Sequence, residues 1–434
     1  MAPPGAREIK LRGSPGRALA AATLAFFAGF TCVSLFNISV KFVATHVELA
    51  LSQVAALVAI PNLTGAFLRI PLGALVDGGG ARAIILAQLL TTAAGLAGLS
   101  YVTALVEAGS LSGASAYAAL LLLGAVAGVG ISIFSPGAAY LSYWFPKRRQ
   151  GTALGIYAGL GNTAPGIYTA LLPLMISAIG ISGTYLMWAA FLAAAAVLFY
   201  AYGHDAYYFQ LLKIVGDPAA ARRLAGELGG EVLPSGGAWR SLTSSARLHT
   251  TWLLVLLYFT SFGGYVALTA WLPSYYTAAL DMDIATAGLL TGLGFSLLAS
   301  LMRIAGGWAS DRVGGARVAA VAYALVAGGS AAAMLNPAAS PLGMSAAAVG
   351  MGMANAAVFK LLPQLVGEAV GGASGWVGGV GAGGGLVLPM LMAICTEALG
   401  AYTASFLPIA VLGVLSLTAS VTRLRTKTAN WQQG

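Results

Sequence analysis

Leu68-Arg69-Ile70-Pro71-Leu72-Gly73-Ala74-Leu75-Val76-Asp77 and Met302-Arg303-Ile304-Ala305-Gly306-Gly307-Trp308-Ala309-Ser310-Asp311 share one pattern, Arg-x3-Gly-x3-Asp. In each copy the Arg lies inside an apolar run and the Asp opens a polar turn, which places a fixed cation about two helical turns inside an apolar helix. The match extends to Gly80 and Gly314 at a constant offset of 234 residues (69 to 303, 73 to 307, 77 to 311, 80 to 314). The chain is therefore read as two repeated halves.

The surroundings of both copies are those of a bilayer. Of 434 residues 59% are apolar and 8% charged, against roughly a quarter charged in a soluble domain. Stretches of about 20 apolar residues recur, each long enough to cross a ~30 Å hydrocarbon core as a helix, and no alternating ten-residue strand pattern competes. An all-α polytopic membrane protein follows, with twelve spans expected near 18–44, 50–76, 83–106, 115–143, 152–178, 184–204, 249–277, 285–310, 317–335, 342–365, 374–397 and 400–422. An Arg buried on such a span costs at least a few kcal/mol unless it finds a partner or a wet cavity. Two of them at matched places ask for one shared anion.

The expected organisation is an N-terminal segment 1–17, a six-helix half 18–204, a linker 205–248, a second six-helix half 249–423 and a tail 424–434. Six plus six spans duplicated in parallel put a substrate site at mid-membrane between the halves. The linker carries Lys213, Arg222, Arg223, Arg240 and Arg247 and reads as a solvated charged connector with a short surface helix near 218–228. The other cations fall in the first segment (Arg7, Lys10, Arg12, Arg17), at Arg82, at Lys147-Arg148-Arg149, at Arg312 and Arg317, and in the tail (Arg423, Arg425, Lys427); only Lys41, Arg69, Arg303 and Lys360 lie within expected spans. Glu48, Glu107, Asp281, Asp283 and Glu397 lie on the opposite side. This asymmetry predicts both termini in the cytoplasm and residence in the cell membrane. The net charge of +9 thus reports topology, and no nucleic-acid partner is expected.

The basic start followed by an apolar run resembles a signal peptide, but no convincing cleavage site follows, and the run is long enough to remain a span. Cys32 and Cys395 both lie in apolar helices, where a thiol acts as a small hydrophobe. No disulfide, metal or other cofactor is implied, and no nucleophile–base constellation points to an enzyme.

Two further stretches are glycine-dense: Gly155-Ile156-Tyr157-Ala158-Gly159-Leu160-Gly161-Asn162-Thr163-Ala164-Pro165-Gly166 and Gly375-Trp376-Val377-Gly378-Gly379-Val380-Gly381-Ala382-Gly383-Gly384-Gly385-Leu386-Val387-Leu388-Pro389. Each glycine costs up to about 1 kcal/mol of helix propensity relative to Ala. Such faces let helices pack closely, or expose backbone N–H and Cα–H groups to a small ligand at Gly159, Gly161, Gly381 and Gly383. Near the turns, Gly73-x3-Asp77-x2-Gly80-x-Arg82 and Gly307-x3-Asp311-Arg312-x-Gly314-x2-Arg317 allow a tight turn and an Asp that pairs with a neighbouring helix end when the cytoplasmic side is shut. The plainer reading is a capped, solvated helix end.

These last two segments resemble the loop signature of the major facilitator superfamily, once in each half. The glycine-dense stretches are similar to the two signature segments of its nitrate/nitrite porter family, with Gly159 to Asn162 and Gly378 to Pro389 as their cores. The resemblance extends to Tyr258-Phe259-Thr260-Ser261-Phe262-Gly263 and Asn355-Ala356-Ala357-Val358-Phe359-Lys360. It implies the major facilitator fold of twelve helices in two six-helix halves. It also implies a planar anion held between Arg69 and Arg303, with Tyr258 and Asn162 hydrogen-bonding and Phe134 and Phe262 above and below. Arg82, Arg312 and Arg317, with Gly73, Asp77, Gly307 and Asp311, would form the gate. The expected partners are nitrate, nitrite and the lipid bilayer, and the expected state is a monomer.

The chemistry agrees, since guanidinium is planar, always charged and weakly hydrated and its fork suits a flat oxyanion. Ile131-Ser132-Ile133-Phe134 departs from the family in lacking its Asn, and Phe30 matches the first-helix aromatic only loosely, so Phe134 and Phe30 read as core packing ahead of ligand contacts. Lys360 and Lys41 are expected to snorkel to the interfaces, and His46, His204 and His249 to sit at helix ends. All thirteen acids fall in turns, loops or segment ends, which disfavours a buried proton relay. Nitrate/nitrite exchange is the expected activity. The alternatives are proton-coupled nitrate symport, exchange of small organic anions such as oxalate or formate, and a non-transporting anion sensor signalling through the linker.

Overall fold

The computed structural model of the protein describes residues 11–36, 39, 47, 49–234, 237–367 and 369–424. Lys41, His46 and the outer end of the first expected span lie outside the described residues, as do Arg7, Lys10, Arg425 and Lys427. Among the described residues, eleven helical stretches are long and apolar enough to cross a membrane. One of them, Lys147–Tyr202, runs to 56 residues, about 84 Å of helix and more than two bilayer cores. Gly180 interrupts it at φ +72, a conformation that costs an L-residue roughly 1–2 kcal/mol and glycine little. The described residues therefore make twelve crossings, with the fifth and sixth spans meeting where the sequence places the turn.

The crossing helices of the first half are α1 (Pro15–Ser34), α2 (Leu51–Gly79), α3 (Arg82–Glu107), α4 (Gly113–Trp144), α5 (147–179) and α6 (181–202). Three short linker helices follow: α7 (Tyr207–Val215), α8 (Pro218–Glu227) and α9 (Ala238–Ala246). The second half holds α10 (His249–Leu280), α11 (Thr286–Val313), α12 (Gly315–Leu335), α13 (Pro337–Val366), α14 (Val370–Leu399) and α15 (Tyr402–Leu424). Local signals set several ends: Ser14 caps α1 ahead of Pro15, and Asp217 accepts from Ala219 N and Ala220 N ahead of Pro218 in α8. Each such cap is worth about 1 kcal/mol.

The halves meet where glycines remove side chains. A Cβ on Gly73 of α2 would lie 2.8 Å from Gly371 O and 3.0 Å from Gly375 N of α14. One on Gly155 of α5 would lie 2.8 Å from Arg303 O and 3.3 Å from Gly307 Cα of α11. Both contacts are closer than carbon–carbon van der Waals distance, about 3.5–4.0 Å, permits, so any larger residue would separate the halves. The equivalent turns after α2 and α11 hold Gly80 and Gly314 at φ +91 and +93. The sequence repeat is thus also a conformational repeat.

The linker departs from expectation. α8 forms at 218–227 as anticipated, but α7 and α9 flank it, and α9 is packed rather than solvated. Ser241 and Ser245 of α9 are buried; Gly372 N donates to Ser241 Oγ at 3.0 Å, and Trp376 Nε1 donates to Leu242 O at 3.1 Å. Small hydroxyl residues one turn apart give α9 a face that fits the glycine-rich start of α14, a match that a count of charges does not show. Gln210 of α7 in turn pairs with the backbone of Arg12 in both directions, at 2.9 and 2.7 Å, which fixes the start of the chain to the linker.

Candidate functional site

Arg69 on α2 and Arg303 on α11 are 2% and 1% exposed. Their guanidinium carbons face shared aromatic walls: Arg69 Cζ lies 5.2 Å from the Phe134 ring and 5.7 Å from Phe262, and Arg303 Cζ lies 5.3 and 5.8 Å from the same two rings. Phe30 adds a third face to Arg69 at 5.9 Å, and Tyr258 one to Arg303 at 5.7 Å. Cation–π contact offsets part of the burial cost, by up to about 2 kcal/mol when desolvated.

The hydrogen bonds leave both forks incomplete. Arg69 Nη1 donates to Gly378 O at 2.9 Å and Nη2 to Ile131 O at 3.3 Å, while Arg303 Nη2 donates to Tyr258 Oη at 3.2 Å. Arg69 Nε, Arg303 Nε and Nη1, and Asn162 Oδ1 are buried without a partner. Among the described residues no carboxylate lies within ion-pair distance of either arginine. Donors of this kind are costly to leave unmade, about 1–3 kcal/mol each and more when charged. The arrangement is chemically one for a small acceptor-rich anion.

Helix irregularities present these side chains. Phe134 opens the α-helical part of α4 after a 3-10 segment, Gly128–Ile133, whose freed carbonyl at Ile131 receives Arg69. Tyr258 caps the start of a π-helical turn, Phe259–Gly263, that contains Phe262; it is braced by Ser261 Oγ donating to Asn355 Oδ1 at 2.8 Å and Tyr323 Oη donating to Leu257 O at 2.6 Å. Such π-bulges frequently occur at functional sites. The rings of Phe134, Tyr258 and Phe262 are nearly parallel, 4° to 9° apart, with Phe134 and Phe262 centroids 6.5 Å apart. Asn162 caps the straight part of α5 with its amide buried, but makes no hydrogen bond to either arginine.

The four expected glycines divide. Gly381 lets Tyr258 close in, since a Cβ there would lie 2.9 Å from the ring; Gly159 packs on Ile304 and Ser300, and Gly161 on Phe26. Gly383 faces only Val380 of its own helix. Gly378, Ile131 and Phe359 take direct part in holding the arginines and rings without having been singled out. Two are backbone acceptors, which leave no mark in a sequence, and Phe359 stands out in the sequence only within the segment 355–360.

Two carboxylates, one in each half, bridge the halves on the linker side. Asp77 of α2 accepts from Gly371 N at the start of α14, at 3.1 and 3.0 Å, and from the hydroxyls of Tyr143 and Ser241. Asp311 of α11 accepts from Gly151 N (2.9 Å), Thr152 N (2.7 Å) and Thr152 Oγ1 (2.7 Å) at the start of α5, and pairs with Lys360 Nζ at 2.5 Å. Each Asp thus caps a helix of the opposite half, where the positive end of the helix dipole adds up to about 2 kcal/mol in a partly buried setting. Lys360 does not snorkel: its side chain is 4% exposed and also donates to Lys147 O. Arg82 instead ties the α2–α3 turn to Asp205 and Tyr200, Arg312 stacks on Trp308 at 3.9 Å, and Arg317 reaches Val313 O.

Residues 22–335 match the family model of the Major Facilitator Superfamily. The chain is 31% identical to the probable nitrate/nitrite transporter NarK2 of Mycobacterium tuberculosis over 80% of this chain and 81% of that one. The chain belongs to the major facilitator superfamily, in its nitrate/nitrite porter family. Other relatives of this porter are the nitrite extrusion protein of Bacillus subtilis (27% identical, 91% of each chain) and the probable nitrate/nitrite antiporter NarK1 of Thermus thermophilus (29%, 92% of this chain and 89% of the relative). Among solved structures the porter's fold is similar to that of FucP in the outward conformation, with a TM-score of 0.71 at 16% identity over 93% of this chain and 98% of FucP. As in other members of the superfamily, the chain is a multi-pass membrane protein of two six-helix halves.

Proposed function

We propose that this porter exchanges nitrate for nitrite by alternating access, with the anion held between Arg69 and Arg303. The observation that carries this reading is the pair of buried guanidinium groups, one from each half, sharing the Phe134 and Phe262 rings and keeping unpartnered N–H groups. Those near-parallel rings, with centroids 6.5 Å apart, both lie against the two guanidinium groups, a setting that suits a flat oxyanion. Relatives named for nitrate, nitrite and their antiport support the choice of ion. Tyr258 and Asn162 would complete its hydrogen bonds, with the glycine faces allowing close approach.

Without an anion the two buried cations repel each other across a low-dielectric site, so the empty carrier resists closing around it and does not return. Exchange follows. The halves 18–204 and 249–423 rock about the site, Asp77 and Asp311 latch its cytoplasmic side with Gly73 and Gly307 allowing the approach, and Arg82, Arg312 and Arg317 hold the adjoining turns. Both termini are cytoplasmic, the membrane is the cell membrane, the unit is a monomer, and the chain is not an enzyme.

Counterflow decides the matter: labelled nitrate should enter proteoliposomes loaded with nitrite and fail to enter those loaded with chloride. Proton-coupled nitrate uptake is the second reading, favoured by the buried Lys360–Asp311 pair. It would show as nitrate and proton uptake into vesicles without internal counter-anion.

A further inference from the structure

On α13, Phe359 and Lys360 stand next to each other and touch different machinery. Phe359 is 3% exposed and sets its edge against two rings of the anion site, Phe134 at 4.8 Å and 84° and Tyr258 at 5.1 Å and 79°. Lys360, about 100° further round the helix, points away from that site into the latch. There it bridges Asp311 of its own half and the carbonyl of Lys147, in the turn that leads into α5 of the other half. Phe134 belongs to the first half and Tyr258 to the second, so Phe359 is wedged across the same boundary that Lys360 clasps.

The two latches differ in this respect. Asp77 is held by hydroxyls and a backbone amide, and its α4 partner Tyr143 is nine residues, about two and a half turns, from Phe134. The Asp311 latch contains a buried ion pair whose cation adjoins a residue of the ring stack. With both charges buried, removing one strands the other at a cost that water would relieve only in an opened state. A displacement of Lys360 on a packed helix moves Phe359 with it.

Resting on the anion reading above, we propose that Phe359 and Lys360 form one transmission element, in which Lys360 holds the linker-side latch and Phe359 positions the ring stack. Opening of the latch and loosening of the anion are then a single movement of α13. Both are positioning residues: neither needs to touch the ion.

The test uses the full-length porter in proteoliposomes with Cys32 and Cys395 replaced by Ala and a reporter, Ser374→Cys. Ser374 is 1% exposed and exchanges hydrogen bonds with Ser135 across the halves at 3.0 Å in both directions, between the latch and the arginines. Its labelling by a thiol reagent added on the linker side reads opening. Saturating nitrate, which binds more tightly with the latch shut, should lower labelling of the parent about threefold, a modest population shift. Lys360→Met should raise anion-free labelling about tenfold, and Lys360→Arg should return it to the parent rate. Phe359→Leu should keep the parent's anion-free rate and lose the response to nitrate, while Phe359→Tyr, which retains the ring, should keep it and show that the fold tolerates the site. The proposal is overturned if Phe359→Leu responds to nitrate as the parent does, or if Lys360→Met labels at the parent rate. A parent blind to nitrate overturns the anion reading instead, and Lys360→Met still reports on the latch.

Discussion

At Arg69 and Arg303 geometry matters as much as charge. A lysine keeps the cation but replaces a rigid fork by one strongly hydrated point. Arg69→Lys surrenders the donors to Gly378 O and Ile131 O, and Arg303→Lys the one to Tyr258 Oη. With charged hydrogen bonds worth about 1.5–3 kcal/mol each, both substitutions should slow nitrate counterflow roughly 100-fold or more; a near-normal initial rate in either would remove that arginine from the site. Asp77 tests the latch at the same scale. Asp77→Asn turns one acceptor into an NH2 facing the N–H of Gly371, so linker-side access to the halves, read by labelling of Ser374→Cys, should rise several-fold. Unchanged labelling would leave Asp77 as an ordinary helix cap.

At the scale of helices the sequence spends stability on glycine and recovers it in packing. Gly155→Val would drive a side chain into Arg303 O and the Gly307 backbone, so α5 and α11 must part; the thermal midpoint in detergent should fall and exchange should be lost. Gly328 on α12 is exposed, and a Cβ there meets nothing within 4 Å. Gly328→Ala should leave exchange unchanged and raise the midpoint, since it recovers up to about 1 kcal/mol of helix propensity. Together the two variants distinguish glycines that pack the halves from those that do not. The helices themselves were legible from hydropathy, and the turn at Gly180 fell where two spans had been separated. The irregular turns were not. A 3-10 segment before Phe134 and a π-turn, Phe259–Gly263, that carries Phe262 are braced by tertiary partners, Asn355 and Tyr323 among them, that lie far away in sequence.

For the whole molecule, exchange of one monovalent anion for another moves no net charge and no proton. Nitrate/nitrite counterflow should therefore be indifferent both to an imposed membrane potential and to a pH gradient, as measured by initial rates in proteoliposomes under valinomycin and under acid or alkaline jumps. Acceleration by inward acidification would overturn exchange in favour of proton coupling. Asp77 and Asp311 both bridge the two halves on the linker side, and the linker helix α9 joins that contact through Ser241. A connector that reads as solvated is thus packed, at α9, against both halves.

By itself the sequence determined the membrane setting, the duplication and the two arginines. Each follows from local quantities: apolar length, a repeated Arg-x3-Gly-x3-Asp at fixed offset, and the cost of a cation in an apolar run. Only the tertiary structure decided which groups meet across the halves. Lys360 reads locally as a snorkelling side chain, because its partner Asp311 is 49 residues away, and Ser241 reads as linker polarity, because Asp77 is 164 residues away. Such contacts depend on how helices cross, and helix crossing is set by packing summed over the whole bundle rather than by any one stretch of chain.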